Sequence, residues 1–90
     1  MYIYCISDGI ELCKFGFSNN PDKRLKALQT GNPNKLKIIE KILVEEDKVR
    51  NLEKQLHKDY AHKRVNGEWF RVTPEEGKDI LGWFEIHYIN

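Results

Sequence analysis

The sequence predicts a small α/β (α+β) domain, and three features predict it: an alternating apolar hairpin at the start, a β-branched run in the middle, and helical stretches with recognisable caps. Ninety residues set a single domain over 1–90 as the ceiling, with one modest core. No apolar run approaches the roughly 20 residues that a membrane span needs, so no membrane partner is expected. Met1-Tyr2-Ile3-Tyr4 opens without a basic leader, which makes a reducing, cytoplasmic setting the expectation.

Residues 2–17 alternate around Ser7-Asp8-Gly9, a turn signal, and read as a β-hairpin. Pairing Tyr4 with Lys14 puts Ile3, Cys5, Cys13, Phe15 and Phe17 on one face and leaves Tyr2, Tyr4, Lys14 and Gly16 on the other, since side chains alternate with period two. Cys5 and Cys13 lack zinc-ligand spacing and read as core residues. Asn20-Pro21 is an N-cap followed by proline at the first helical position, and Gly31 suits the far end, so a short helix is expected over 21–29. The β-branched content of 36–44 favours a third strand.

From 45 to 62 the pattern turns helical, with Val49, Leu52, Leu56 and Tyr60 as its apolar stripe. Glu53 falls inside that stripe and His57 on its edge, so a carboxylate sits where an apolar side chain would be ordinary. Val65-Asn66-Gly67 is a turn, the stretch 68–72 follows it, and Thr73-Pro74-Glu75-Glu76 is a capping box that starts a last helix over 74–86. Trp69, Phe70, Trp83 and Phe84 are assigned to the core. His62 and His87 read as surface residues, whereas Glu68 suits either the site or a solvent-facing strand start.

A net charge of +1 removes the simple argument for a nucleic-acid binder, but the charge is unevenly spread. Residues 14–41 hold seven basic against two acidic side chains and 54–71 hold five against two, so two positive blocks could converge on a polyanion. Within or beside them stand Tyr4, Lys14, Arg24, Glu53 and His57, types that handle phosphate, protons or a divalent cation. Tyr2-Ile3-Tyr4 is followed by Lys14-Phe15-Gly16, then by Arg24 eight residues after Gly16, then by Leu52-Glu53-Lys54-Gln55-Leu56-His57. This order resembles a GIY-YIG nuclease domain. Leu28-Gln29-Thr30-Gly31-Asn32-Pro33 and Gly67-Glu68-Trp69-Phe70 narrow the resemblance to the phage-type branch, in which Lys-x-Gly replaces Tyr-Ile-Gly. Two departures stand out: Lys14 occupies the place of a second catalytic tyrosine, and Leu28 the place where many members have His or Tyr.

The resemblance implies a three-stranded antiparallel sheet flanked by helices, with one metal-dependent phosphodiesterase site on the polar face. It implies hydrolysis of DNA, RNA not excluded, with Mg²⁺ or Mn²⁺ held by Glu53. Water attacks in line, Tyr4 assisted by Lys14 accepts its proton, and Arg24 stabilises the developing charge. His57, one turn after Glu53, would shuttle a proton, position water or orient the glutamate. Lys23, Lys26 and Lys58 are the expected phosphate-backbone contacts. A chain this short would need an oligomer or a partner for high sequence specificity. The alternative is a non-catalytic nucleic-acid-binding module on the same fold.

Overall fold

The alternation of residues 2–17 folds into the hairpin it predicts, in a computed structural model that describes residues 1–89. Strand β1 (Tyr2–Ser7) pairs antiparallel with β2 (Leu12–Ser18). The register differs from the expected one, because Tyr4 pairs with Gly16 and Lys14 with Ile6. A slip of two residues leaves every side chain on its expected face, so alternation fixed the faces while the turn fixed the register. That turn is longer than the residue types suggest: the Asp8 carboxylate accepts from the N–H groups of Ile10, Glu11 and Leu12, and Gly9 takes φ +80°.

Helix α1 (Pro21–Gln29) starts where the cap predicts, the Asn20 side chain accepting from the Lys23 N–H. Strand β3 (Lys37–Leu43) pairs antiparallel with β1 on its other edge. Helix α2 (Val49–Asp59) is shorter than the expected 45–62. Residues 45–48 close a separate turn through Lys48 N–H to the Glu45 carbonyl, and Ala61–Lys63 form a 3₁₀ turn.

Strands β4 (Arg64–Asn66) and β5 (Trp69–Arg71) then form a second hairpin, with Gly67 at φ +56°. The sheet among the described residues is therefore five-stranded, in the order β3-β1-β2-β5-β4 and antiparallel throughout, which corrects the expected three-stranded sheet. Strands of three residues are too short to show the alternation by which a strand is read from sequence.

Helix α3 (Pro74–Phe84) carries the expected Thr73–Glu76 capping box and ends in a π-helical turn, Glu85–Ile89. It packs through Gly77, Ile80, Leu81 and Phe84. Trp83 lies off that stripe and is 49% exposed, which corrects its assignment to the core.

The two faces of the sheet are closed differently. Ile3, Cys5, Cys13 and Phe15 are sealed by Val49 and Leu56 of α2 and by Leu81 and Phe84 of α3. On the other face Tyr4, Ile6 and Leu36 gather with Leu25 and Leu28 of α1 and with Trp69. Both cysteines are buried free thiols. Among the described residues no helix is long and apolar enough to cross a membrane.

Candidate active site

Tyr4 and Gly16 face each other across β1 and β2, and the tyrosine ring lies over the glycine. A Cβ added at Gly16 would stand 2.5 Å from the Tyr4 hydroxyl oxygen, so the absence of a side chain here makes room for the phenol. Burial pushes the Tyr4 phenol above its ordinary 10.0; the Arg24 guanidinium beside it pulls the other way, while Glu68 and Glu53 add to the rise. At neutral pH the phenol keeps its proton. Arg24 is the cation that lowers the phenol's pKa most.

Lys14 is itself buried, and its Nζ lies 2.9 Å from Glu68 Oε1 and 5.8 Å from the centroid of the Trp69 ring. Cross-strand pairing of Lys14 with Trp69 places β5 against β2 at this point. Phe15 N–H donates to the Glu68 carbonyl, and β5 does not pair with β2 further along. His57 of α2 takes over there, its Nε2 2.8 Å from the Phe15 carbonyl oxygen. A carbonyl only accepts, so Nε2 carries the hydrogen in this contact and Nδ1 is left outside it. The ring is held edge-on to Phe70, with centroids 5.1 Å apart.

One turn earlier on the same helix, Glu53 Oε2 is buried with no hydrogen-bond partner. Burial, and then the neighbouring Glu68, push this carboxyl above its usual range, against the pull of His57, Lys14 and Arg50. Glu53, His57 and Glu68 each offer a ligand atom, all within 4.8 Å of one another. Two carboxylates and an imidazole suit a divalent cation, and the orphaned Glu53 oxygen is what such an ion would satisfy. The residues present therefore fit the expected metal.

The structure thus brings together Tyr4, Lys14, Arg24, Glu53 and His57, from β1, β2, α1 and α2. Lys23, Lys26 and Lys58 are exposed, Lys23 beside Arg24 in a shallow depression at the start of α1 and Lys58 next to His57 on α2. The second positive block adds a basic depression of about 470 Å³ lined by Lys63, Arg64 and Arg71. Glu68 is the member that sequence reasoning left open. Its signal was its place directly before Trp69, but only the β2–β5 pairing shows that this brings it to Lys14.

The family model of the T5orf172 domain matches residues 1–85. Comparison with curated proteins and with solved structures finds no match.

Proposed function

The chain belongs to the T5orf172 domain family, a nuclease-like domain, and from that premise we propose that it is a metal-dependent endonuclease hydrolysing a DNA phosphodiester at a GIY-YIG-type site. The observation that carries the reading is the buried, unpartnered Glu53 oxygen beside His57 and Glu68, within the charge environment of Tyr4, Lys14 and Arg24.

Mg²⁺ or Mn²⁺ held by Glu53, with His57 and Glu68 beside it, would supply Lewis-acid neutralisation of charge on the phosphate. Everything else falls to the chain's own groups. Water attacks phosphorus, its oxygen forming the new P–O bond as the bond to the leaving oxygen breaks. Tyr4 first loses its own proton to solvent, at a cost that the Arg24 guanidinium lowers, and the resulting phenolate takes the water's proton. Arg24 also faces the charge that develops on the phosphoryl oxygens, for which a planar, always-charged donor fork is suited. Lys14 is held by Glu68 and gives the phosphate a second cation. His57, donating through Nε2 to Phe15, presents Nδ1 as an acceptor when the ring is neutral. Lys23, Lys26 and Lys58 would hold the flanking backbone. RNA shares the same linkage and is not excluded.

Supercoiled plasmid incubated with the purified protein should be relaxed or linearised with Mg²⁺ or Mn²⁺ and stay intact in EDTA. Cleavage should accelerate as pH rises through neutrality, because a base whose proton is held more tightly than usual is a larger fraction ionised at each step upward. Tyr4→Phe should flatten that profile. DNA that is bound in a salt-sensitive way yet never cut with either metal would replace this reading with a non-catalytic binding module.

A further inference from the structure

On the same sheet face as Lys14 there is a second concavity, an open cavity of about 270 Å³ between the β1–β2 turn, the loop after α1 and the β4–β5 hairpin. Its apolar walls are Leu12, Val65 and Trp69, and its polar rim is Asn32, Asn34 and Asn66. Neither lysine nor arginine lines it, and one carboxylate, Asp8, does, so the chemistry is wrong for a phosphate. An indole wall with amides at the edge suits an uncharged, planar group bearing both donors and acceptors.

The loop that carries Asn32 and Asn34 is held in place. Gln29 donates to the carbonyls of Asn32 and Asn34, at 3.3 and 2.8 Å, and accepts from the Leu36 N–H at 2.8 Å. The Asn34 N–H donates to the Asn32 side chain at 2.9 Å. The loop backbone is therefore fixed, while among the described residues the side-chain amides of Asn34 and Asn66 make no hydrogen bond within the chain. Position matters as much as chemistry. Leu12 and Lys14 are alternate residues of β2, about 7 Å apart on one face, and Trp69 is the cross-strand partner of Lys14. A group seated against Trp69 lies beside the cation that the proposed reaction gives to a phosphate.

We propose that this cavity receives an unstacked nucleobase from the strand being cut, its ring against Trp69 and its edge read by the amides of Asn34 and Asn66. The proposal rests on the nuclease reading above, and it adds a source of base preference that a phosphate site cannot provide.

The test uses a short single-stranded oligonucleotide carrying 2-aminopurine, titrated with the whole chain at low salt in EDTA, so that binding is read without turnover. Stacking in the cavity should quench the probe. Trp69→Leu, which keeps an apolar side chain against Tyr4 and Ile6, should abolish most of the quench and weaken binding about tenfold. Asn34→Ala leaves the loop's backbone bonds in place and should keep the quench while narrowing the differences in affinity between oligo-dA, oligo-dC and oligo-dT. If Trp69→Leu fails to fold, as judged by its thermal melt, the Asn34→Ala comparison decides. Binding without quench, or an Asn34→Ala protein with the base preferences of the parent, overturns the pocket and leaves the nuclease reading standing. Absence of any binding to oligonucleotides or plasmid overturns both.

Discussion

On one face of the sheet Cys5 and Cys13 are as deeply buried as any described residue, and on the other face Tyr4 is very nearly so. The first face buries groups that can remain neutral without loss. Its two thiols sit against each other and against α3, and the Cys13 thiol together with burial pushes the Cys5 thiol far above its ordinary value, which makes it inert. The second face buries groups whose proposed roles require charge: a phenol, a lysine ion-paired to Glu68, and at its margin an orphaned carboxylate. One helix serves both, since α2 seals the apolar face with Val49 and Leu56 and carries Glu53 and His57 to the other. Stability is concentrated where burial and chemistry agree, and a candidate site is recognisable where they conflict.

The largest effect that would test this contrast is on turnover. Glu53→Gln preserves the side chain's shape and removes the charge on which a hard cation depends, so divalent-dependent plasmid cleavage should fall by about three orders of magnitude or more, roughly 4 kcal/mol at the barrier. DNA affinity measured in EDTA should change little. Cleavage at the parent rate by a folded Glu53→Gln protein removes Glu53 from the metal site.

Next in size is a pair of matched substitutions, one on each face. A Cβ at Gly16 would meet the Tyr4 hydroxyl oxygen at 2.5 Å, whereas one at Gly77 would meet Cys5 Sγ at 2.7 Å and Cys13 Sγ at 3.0 Å. The first displaces the proposed base by a fraction of its own length, and Gly16→Ala should lower turnover on the order of a hundredfold. The second lifts α3 from the core. Gly77→Ala should lose roughly 1 to 2 kcal/mol of stability in urea melts, the overpacking being partly offset by alanine's better helix propensity. Cleavage per folded molecule should be unaffected. A Gly77→Ala protein impaired in cleavage but unchanged in stability would break the division between the faces.

Much of this division was legible in the sequence, because it rests on local signals. Alternation assigned Tyr4 and Lys14 to one face even with the pairing two residues out, and Asn20-Pro21 and Thr73-Pro74 marked two helix starts. A glutamate inside the stripe of Val49 and Leu56 pointed to Glu53. What stayed hidden depends on contacts between segments distant in the chain. The pairing of β5 with β2, which makes the sheet five-stranded, is carried by three-residue strands, and the same pairing brings Glu68 to Lys14. Trp83 was misassigned because its type favours burial while its position on α3 points away from the packed stripe.

The smallest expected effect is also the most direct probe of the conflict between burial and charge. In the folded chain without a cation, ionised Glu53 has one oxygen with no partner and Glu68 for a neighbour, so its carboxyl holds a proton more tightly than the ordinary 4.5. A group whose folded pKa is raised favours folding below its unfolded value, and that contribution is lost as pH rises through the folded value. At about pH 8 in EDTA, Glu53→Gln should therefore be more stable than the parent, on the order of 1 kcal/mol, the penalty of a buried unsatisfied acceptor. For a domain of this size that corresponds to a rise of about 4 to 8 °C in Tm. The advantage should shrink as pH is lowered and vanish near pH 4, where the protonated carboxyl resembles the amide. Added Mn²⁺ should stabilise the parent and leave Glu53→Gln where it was, since only a ligand that binds the native state shifts the melt. A variant less stable than the parent at every pH, with no response to metal in either protein, would make Glu53 a structural residue, and the unpartnered oxygen would no longer distinguish this face from the other.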